Sequence, residues 1–333
     1  MAMVSQSAMR TKVYVAGHRG MVGSALVRGL ETKGYNHIIT KTRSELDLCN
    51  ATAVEGFFSK EQPELVFMAA ARVGGILANN RFPADFIREN LLIQTHLIQA
   101  SFAHGARRVL FLGSSCIYPR LAEQPIKETA LLSGSLEPTN RAYALAKIAG
   151  IEMCWSYNRQ HFPHSRTSFL AAMPTNLYGT GDNYHPTNSH VIPGLIRRFH
   201  EAKVNQAQEV IVWGTGKPLR EFMHADDMAA ACIHLMELPD PTWQALTAAD
   251  RNDGEAPLVN IGVDTDVSIA ELAKLIAEVV NYKGQIRFDP TVPDGTPRKL
   301  MSSAKLYALY PYQARTLREG LAQTYREYCE LLD

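Results

Sequence analysis

The sequence predicts an α/β fold in which a doubly wound parallel sheet is followed by a smaller C-terminal α/β part. Short apolar segments alternate with helical patterns through the first half of the chain, which is typical of βαβ units covered on both faces. Closely spaced glycines stand between the first apolar segment and the first helical one. After Gly179 the alternation gives way to a loop rich in Gly, Asn, Thr and Pro.

The elements of the first half follow from apolar spacing and from glycine. The first segment is β-branched and ends at Gly17, as a buried strand does. The next carries apolar residues at helical intervals from Met21 to Leu30 and is closed by Gly34. Strands are predicted at residues 12–17, 37–40, 65–70, 109–113 and 167–173, and helices at 20–33, 84–103 and 141–157.

Beyond Gly179 the predicted elements are mixed. Ser268 and Glu271 have the spacing of a capping box, so a helix is expected to begin there. Helices are predicted at residues 190–202, 226–238 and 268–282, and strands at 210–213 and 258–262. The last of these strands resembles one more strand of the main sheet. We therefore predict two interleaved parts, residues 10–178 with about 225–262, and residues 179–224 with 263–333.

Composition narrows the class of partner. The chain has 34 Lys and Arg against 33 Asp and Glu, so we expect a small molecule or a protein partner rather than nucleic acid. Its apolar runs are shorter than a membrane span, and its start lacks the form of a signal peptide. Five scattered cysteines without CxxC spacing argue against disulfides and zinc, and fit a reducing cytosol. We expect no metal.

The glycines predict a phosphate-binding loop. Gly17, Gly20 and Gly23 are three residues apart where a strand turns into a helix. A backbone that approaches a pyrophosphate closely leaves no room for β-carbons, and a helix N-terminus favours the anion. A plain tight turn is the alternative. The position between a strand and a helix favours a Rossmann-type dinucleotide site.

Basic residues follow the second predicted strand. Sites that prefer NAD usually carry an Asp or Glu about 20 residues after the glycines, where it binds the ribose 2′-hydroxyl. Here the chain has Lys41 and Arg43, with Arg19 inside the glycine loop. Guanidinium groups bind phosphate well, so NADP(H) is the expected cofactor. Cations of a solvated surface are the alternative interpretation.

A tyrosine, a lysine and a serine form the candidate catalytic group. Tyr143 and Lys147 are four residues apart on a predicted helix and share one face. A neighbouring cation favours the phenolate and makes the phenolic proton available for catalysis. Ser114 lies at the end of the fourth predicted strand, where ligands of open α/β sheets gather. Its hydroxyl could bind a substrate carbonyl oxygen.

With these motifs the chain resembles the extended short-chain dehydrogenase/reductases, whose catalytic triad is Ser, Tyr and Lys. Within that family it is more closely similar to the GDP-L-fucose synthase branch, which acts on GDP-4-keto-6-deoxy-mannose. The matching segments are AGHRGMVGS at 16–24, RVGGI at 72–76, LGSSCIYP at 112–119, LEPTN at 136–140, PTNLYG at 174–179, NSHVIP at 188–193 and PDGTPRK at 293–299.

The resemblance implies epimerisation at C3 and C5, followed by reduction of the C4 ketone with hydride from NADPH. Inversion beside a ketone needs a base, an acid and stabilisation of the enolate. The resemblance assigns Cys116 as base and His190 as acid, with Tyr143 and Ser114 at the enolate oxygen. An extended segment would place Cys116 and Ser114 on the same side, and a cation would have to lower the pKa of the thiol. By residue type alone, Cys116 would be a buried hydrophobe and His190 a structural or helix-capping histidine.

The resemblance also implies the contacts of both ligands, with residues 10–178 and about 225–262 as the NADP-binding domain and the remainder as the GDP-sugar domain. The substrate contacts are Arg198, Trp213, Arg220 and Asp294. Besides Arg19, Lys41, Arg43 and the three glycines, the cofactor contacts are Met21, Val22, Leu112, Gly113, Ser114, Ser115, Tyr143, Lys147, Pro174, Thr175, Asn176, Leu177 and His190. The chain departs from the family at Thr180-Gly181, where Pro-His is common.

Two other functions stay open at this stage. A 4-epimerase or 4,6-dehydratase on a related nucleotide sugar would hold its cofactor as NAD and recycle it. A dinucleotide-sensing protein without catalysis would be expected to lack Tyr143 or Lys147, and both are present. The resemblance further implies a cytoplasmic homodimer paired through the helix that carries Tyr143.

Overall fold

The structure is a computed structural model that describes residues 10–161, 163–186, 189–248, 257–292 and 294–332. Asn188 and Pro293, which begin two of the matching segments, lie outside the described residues. The strands are β1 (Lys12–Ala16), β2 (His37–Ile39), β3 (Leu65–Met68), β4 (Arg108–Leu112), β5 (Ser168–Pro174), β6 (Asn176–Tyr178), β7 (Glu209–Trp213), β8 (Leu219–Arg220), β9 (Phe222–His224), β10 (Leu258–Ile261), β11 (Val267–Ser268), β12 (Gln285–Asp289) and β13 (Arg298–Lys299). The helices are α1 (Met21–Thr32), α2 (Ala51–Glu61), α3 (Ile76–Arg81), α4 (Pro83–Ala103), α5 (Arg141–His161), α6 (Val191–Val204), α7 (Ala225–Glu237), α8 (Asp240–Thr247), α9 (Ile269–Val280), α10 (Ala304–Leu309) and α11 (Leu317–Glu330).

The main sheet has six parallel strands in the order β2-β1-β3-β4-β5-β10. The order reverses between β1 and β3, and ligands of such sheets bind beyond the carboxyl ends of the strands at this switch point. The predicted α/β doubly wound parallel sheet is confirmed. The predicted strand at 258–262 does return to it, because Leu258 pairs with Ala171 of β5.

Helices cover both faces of this sheet. On one face α1 and α7 pack with residues such as Leu26, Leu30 and Ile233, all fully buried. On the other face α2, α4 and α5 bury Phe58 and Ile151, among others. Each fully buried aliphatic or aromatic side chain of this kind contributes about 2 kcal/mol of transfer free energy. The two cores hold the carboxyl ends of β1, β3, β4 and β5 in fixed positions.

A third core lies under α6, α9 and α11, and strands β7 and β12 pair beside it. The predicted capping box of α9 is present, since the Glu271 amide donates to Ser268 Oγ at 3.1 Å and the Ser268 amide donates to Glu271 Oε2 at 2.8 Å. Three short pairings, β6 with β9, β8 with β11 and β8 with β13, were not predicted because two- and three-residue strands carry no measurable periodicity. The boundary between the two predicted parts stays a prediction.

Within the described ranges, no helix is both long and apolar enough to cross a membrane. All five cysteines are unpaired thiols.

Candidate active site

The glycine loop is as tight as its sequence predicts. Gly17 has φ +85°, and a Cβ there would lie 2.6 Å from the amide nitrogen of Ala70, the residue that follows β3. A Cβ on Gly23 would lie 2.1 Å from the carbonyl oxygen of Gly17. Gly20, the N-cap of α1, donates its amide to the same oxygen at 3.0 Å and has no side chain to cap the helix. The first turn of α1 therefore presents backbone N–H groups at the switch point, as an anion site requires.

Two of the three predicted phosphate cations lie near one acidic side chain, Glu45, and the third lies near Glu89. Lys41 Nζ is 4.0 Å from Glu45, and Arg19 is near enough to lower the pKa of that carboxyl. Arg43 is 3.9 Å from Glu89, and its side chain is 76% exposed. Glu45 itself accepts hydrogen bonds from the amide and hydroxyl of Thr42, at 2.7 and 2.6 Å, which are the main reason for its lowered pKa. Two of the cations thus meet near Glu45 while Arg43 retains free donors in solvent.

Lys147 is held at the end of β4. Its Nζ donates to the carbonyl of Leu112 at 2.8 Å and lies 5.8 Å from the centre of the Tyr143 ring. Burial lowers the pKa of Lys147 to about 8. Burial raises the pKa of Tyr143, Cys116 adds to this increase, and the Ser114 hydroxyl opposes it. The expected lowering of the phenol pKa is therefore not observed, because desolvation outweighs the stabilisation of the phenolate.

Cys116 lies in a 3-10 turn over Ser115–Ile117, so the predicted extended segment is wrong. The turn forms because the Cys116 amide donates to Ser114 Oγ at 3.4 Å, which caps it. Ser114 nevertheless remains beside Cys116, and its hydroxyl lowers the pKa of the thiol. Burial has the larger effect and raises that pKa overall, against the opposing charges of Lys299 and Lys147. The thiol is 6% exposed.

Lys299 is the member of this cluster that the sequence analysis missed. It pairs in register with Arg220 across β13 and β8, and it is the largest charge that favours the Cys116 thiolate. Burial lowers the pKa of Lys299, and Arg220 lowers it further. The PDGTPRK segment contains Lys299, but the long-range pairing of two-residue strands that places it beside Arg220 leaves no pattern in the sequence.

His190 caps α6 and does not begin it. Its carbonyl accepts the Gly194 amide at 3.0 Å, and α6 starts at Val191. The residue keeps exposed surface, while the protein around the ring lowers its pKa through desolvation. In the described part of the chain, no hydrogen bond or ion pair joins His190 to Cys116.

The four predicted substrate residues lie along one surface. The Arg198 guanidinium stacks over Trp213 at 4.2 Å from the ring centre, and the indole is 50% exposed. Trp213 ends β7, and two residues later Thr215 donates its amide and hydroxyl to Asp294 at 2.9 and 2.6 Å. Asp294 in turn raises the pKa of Arg220, whose pKa burial lowers overall. Arg220 is the register partner of Lys299, whose charge acts on Cys116.

The remaining predicted cofactor positions lie at the carboxyl ends of β4 and β5. A Cβ on Gly113 would lie 1.9 Å from Met173 Cε, so this position has no room for a side chain. Ser115 is buried in the 3-10 turn. Thr175 donates its amide to Ile261 at 3.0 Å, and Asn176 donates to the carbonyl of Glu221 at 2.8 Å. The other positions here are Pro174, which ends β5, and Leu177 in β6, while Met21 and Val22 are in the first turn of α1.

Glu221 is a second residue that the sequence did not single out. Its buried carboxylate accepts backbone amides from Val263, Asp264 and Met301 at 2.6, 2.9 and 3.1 Å. Burial nevertheless raises its pKa. Glu221 lies between β8 and β9, and its carboxylate joins this point to the segments that follow β10 and β13. Among the described residues, no group of three or more His, Cys, Asp or Glu side chains is placed to hold a metal ion.

The model of the NAD dependent epimerase/dehydratase family matches residues 13–246 of this chain. The chain belongs to this family. The matched region contains the glycine loop, the Ser114–Lys147 cluster and His190.

Individual proteins are similar to this chain over almost its whole length. It is 54% identical to GDP-L-fucose synthase 1 of Arabidopsis thaliana, over 97% of this chain and 95% of that protein. It is 51% identical to GDP-L-fucose synthase of Escherichia coli K12, over 97% of this chain and 98% of that protein. A crystal structure of a GDP-L-fucose synthetase from Naegleria fowleri bound to NADP matches with a TM-score of 0.84 and 25% identity, over 97% and 95% of the two chains.

Proposed function

We propose that the protein is a GDP-L-fucose synthase, which epimerises GDP-4-keto-6-deoxy-mannose at C3 and C5 and reduces its C4 ketone with NADPH. The observation that carries this proposal is the position of Cys116 beside Ser114, Tyr143 and Lys147. A reductase needs only the last three groups, whereas a buried thiol with two lysines near it adds a base for C–H chemistry. The names of the two relatives above agree with this combination.

In the epimerisation, Cys116 removes the proton next to the ketone and His190 returns a proton on the opposite face. The Ser114 and Tyr143 hydroxyls donate hydrogen bonds to the developing enolate oxygen. Lys299 and Lys147 favour the thiolate and so oppose the burial that raises the pKa of the thiol. His190 has a lowered pKa and keeps exposed surface, so it can exchange its proton with solvent between turnovers.

In the reduction, Tyr143 supplies the proton that the C4 oxygen takes up. Lys147 holds its charge beneath the phenol because Leu112 fixes Nζ. NADPH, when bound, supplies the hydride. The residues that fit it are the amides at the start of α1 and the cations Arg19, Lys41 and Arg43, because the tight glycine loop leads into a helix whose first N–H groups have no side-chain cap.

The GDP part of the substrate fits the surface from Trp213 to Arg220. The exposed indole under Arg198 offers a stacking face, and Arg220 offers guanidinium donors to a diphosphate. Asp294 stands at the turn between them, where its carboxylate can accept donors from a base or a sugar. In this proposal the 4-keto sugar lies at the Lys299 end, next to Cys116, and the register pair of Lys299 and Arg220 supports that order.

We also propose a cytoplasmic homodimer that pairs through α4 and α5. These helices pack along each other, and Leu145, between Tyr143 and Lys147, is 39% exposed on the outer side of α5. Phe82, at the start of α4, is 42% exposed. Five unpaired cysteines fit a reducing compartment.

The decisive experiment mixes the protein with GDP-4-keto-6-deoxy-mannose and NADPH, follows the nicotinamide absorbance and identifies the sugar by NMR. We expect stoichiometric oxidation of NADPH and formation of GDP-L-fucose. A 4-epimerase or a 4,6-dehydratase would change the sugar without net oxidation of NADPH, and a sensing protein would bind the dinucleotide without turnover. Either result would exclude the proposed function.

A further inference from the structure

A chain of polar side chains connects the loop ahead of His190 to the C-terminal helix. Thr180, which departs from the resemblance described above, donates its hydroxyl to Glu327 Oε2 at 2.7 Å. The other oxygen of Glu327 accepts from Gln323 Nε2 at 3.0 Å. Glu327, which accepts both hydrogen bonds, and Gln323 lie on α11. The loop is thus fixed to α11 at Thr180, by a hydrogen bond to a charged group.

The same series of hydrogen-bonded side chains continues to the start of α7. Arg315 donates to Gln323 Oε1 at 2.7 Å, and its Nε lies 3.1 and 3.0 Å from the two carboxylate oxygens of Asp227. Arg315 is also 3.8 Å from Asp226. The two aspartates occupy the first turn of α7, where the helix dipole favours negative charge.

From α7 the contacts return to the cofactor helix. Asp226 forms an ion pair with Arg28 of α1 at 2.5 Å, and Arg28 donates to Ser24 Oγ at 3.2 Å. A Cβ built on Gly181 would lie 3.7 Å from Ser24 Oγ and 3.8 Å from Met21 Cα, so the loop backbone lies against the first turn of α1. The set of Thr180, Glu327, Gln323, Arg315, Asp227, Asp226, Arg28 and Ser24 is called the polar ring; the packing of the Gly181 backbone against α1 closes it between Ser24 and Thr180.

The loop is also joined to the helix that His190 caps. Arg197 of α6 donates to the carbonyl of Tyr184 at 3.0 Å, and the Tyr184 ring lies 4.4 Å from that of Tyr328 on α11. The first turn of α1, the loop and α6 are therefore in one connected set of contacts. Because His190 is the N-cap of α6, these contacts also determine its position.

We propose that Thr180 is a positioning residue, which acts through the polar ring to hold His190 in register with the phosphate-binding turn of α1. This inference rests on the proposed function, because His190 is the acid of the epimerisation. Loss of the Thr180 hydroxyl releases the loop on its α11 side, while the glycine loop and the Ser114–Lys147 cluster keep their own contacts. Epimerisation should then slow more than hydride transfer.

The test compares Thr180→Val with Thr247→Val, which removes a buried threonine hydroxyl from α8 at the other end of the sheet. Each step is measured separately: solvent-deuterium uptake at C3 and C5, and NADPH oxidation with an already epimerised ketone. We expect Thr180→Val to reduce deuterium uptake about tenfold and to leave hydride transfer within about twofold, with Thr247→Val close to wild type in both. Normal uptake in Thr180→Val, or an equal loss in both steps, would overturn the proposal.

Two further measurements complete the test. Hydrogen–deuterium exchange of the backbone amides at 179–186 needs no substrate, and it should quicken in Thr180→Val; an unchanged exchange pattern would refute the ring even if the wild type failed to oxidise NADPH. Failure of the wild type to oxidise NADPH would refute the proposed function and leave the polar ring untouched. A Thr180→Val/Gln323→Met double variant should lose no more uptake than the worse single variant, because both changes break the same ring. Additive losses would contradict a common mechanism.

Discussion

Lys147 Nζ donates a hydrogen bond to the carbonyl oxygen of Leu112 at 2.8 Å. This contact joins the helix that carries Tyr143 to the last residue of the strand before Ser114. The ammonium group is therefore held in place and does not move with a bound substrate. Its position is set by the sheet, and burial there lowers the pKa of Lys147 to about 8.

A first prediction concerns the alkaline limb of the reduction. Lys147 is protonated below its pKa of about 8 and neutral above it, so kcat/KM for reduction should fall as pH rises through that value. Lys147→Arg keeps its charge at high pH, so its kcat/KM should not fall over this pH range. Because the guanidinium fits the lysine site poorly, this variant should be at least about tenfold slower at neutral pH. Initial rates across pH check this. Lys12→Arg, another lysine bonded to a backbone carbonyl, is the control. If the wild type and Lys147→Arg both lose activity over the same alkaline range, the group that titrates there is not Lys147.

A second prediction isolates Cys116. Cys116→Ser should lose solvent-deuterium uptake at C3 and C5 by roughly 100-fold or more, since a serine hydroxyl is a poor general base. It should keep reduction of an already epimerised ketone. NMR of the recovered sugar measures the first step and NADPH absorbance the second. Cys329→Ser, a half-buried thiol on α11, is the matched control. Undiminished uptake would remove Cys116 from the mechanism.

A third prediction concerns Lys299. Its charge is the largest influence that lowers the pKa of the Cys116 thiol. Lys299→Met should raise that pKa, so deuterium uptake at neutral pH should slow by roughly tenfold and recover as pH increases. Lys274→Met, an exposed lysine of α9, controls for the loss of one positive charge. If the slower rate persists unchanged at high pH, Lys299 acts through substrate binding and not through the thiol.

A fourth prediction concerns cofactor choice. Arg43 has a mostly exposed side chain and only a distant partner, so its donors are available to a 2′-phosphate. Arg43→Ala should weaken NADPH binding by about tenfold and leave NADH binding nearly unchanged. Fluorescence titration with each nucleotide gives both constants. Arg88→Ala, an exposed arginine of α4, should alter neither. A parallel weakening of both nucleotides would mean that Arg43 does not contact the 2′-phosphate.

A fifth prediction concerns stability. Burial raises the pKa of Asp182 to about 6, and its Oδ2 has no hydrogen-bond partner among the described residues. The folded state therefore holds the proton more tightly than the unfolded state, so stability falls as pH rises from about 4 through 6. Asp182→Asn should stabilise the protein by up to about 3 kcal/mol at pH 8 and by little at pH 4. Thermal unfolding at both pH values checks this. Asp47→Asn, whose exposed side chain also accepts a backbone amide, should show no such difference.

Local patterns predicted the elements that depend on local physics. The glycine spacing, the Tyr143–Lys147 pair and the Ser268 capping box are all short-range, and each is present in the structure. Lys299 and Glu221 could not be found in this way. Their neighbours lie about 40 or more residues away in sequence, and their importance depends on burial that no window of sequence reports.

The backbone after Ser114 shows the same limit at closer range. Alternation along an extended strand predicted that Ser114 and Cys116 share a side, and the structure has a 3-10 turn instead. The Ser114 hydroxyl accepts the Cys116 amide, as serine does at helix starts, and this bond favours the turn over an extended segment. The two groups still meet, for a reason other than the one predicted.

The late strand β10 bears on how the chain can fold during synthesis. It pairs with β5, although 83 residues separate the end of β5 at Pro174 from Leu258. Until β10 is made, β5 is an open edge with unpaired backbone groups, the kind of edge that pairs with other chains. A nascent or truncated chain that stops before β10 would therefore be prone to aggregation, and the intact sheet is a product of the whole chain rather than of its first half.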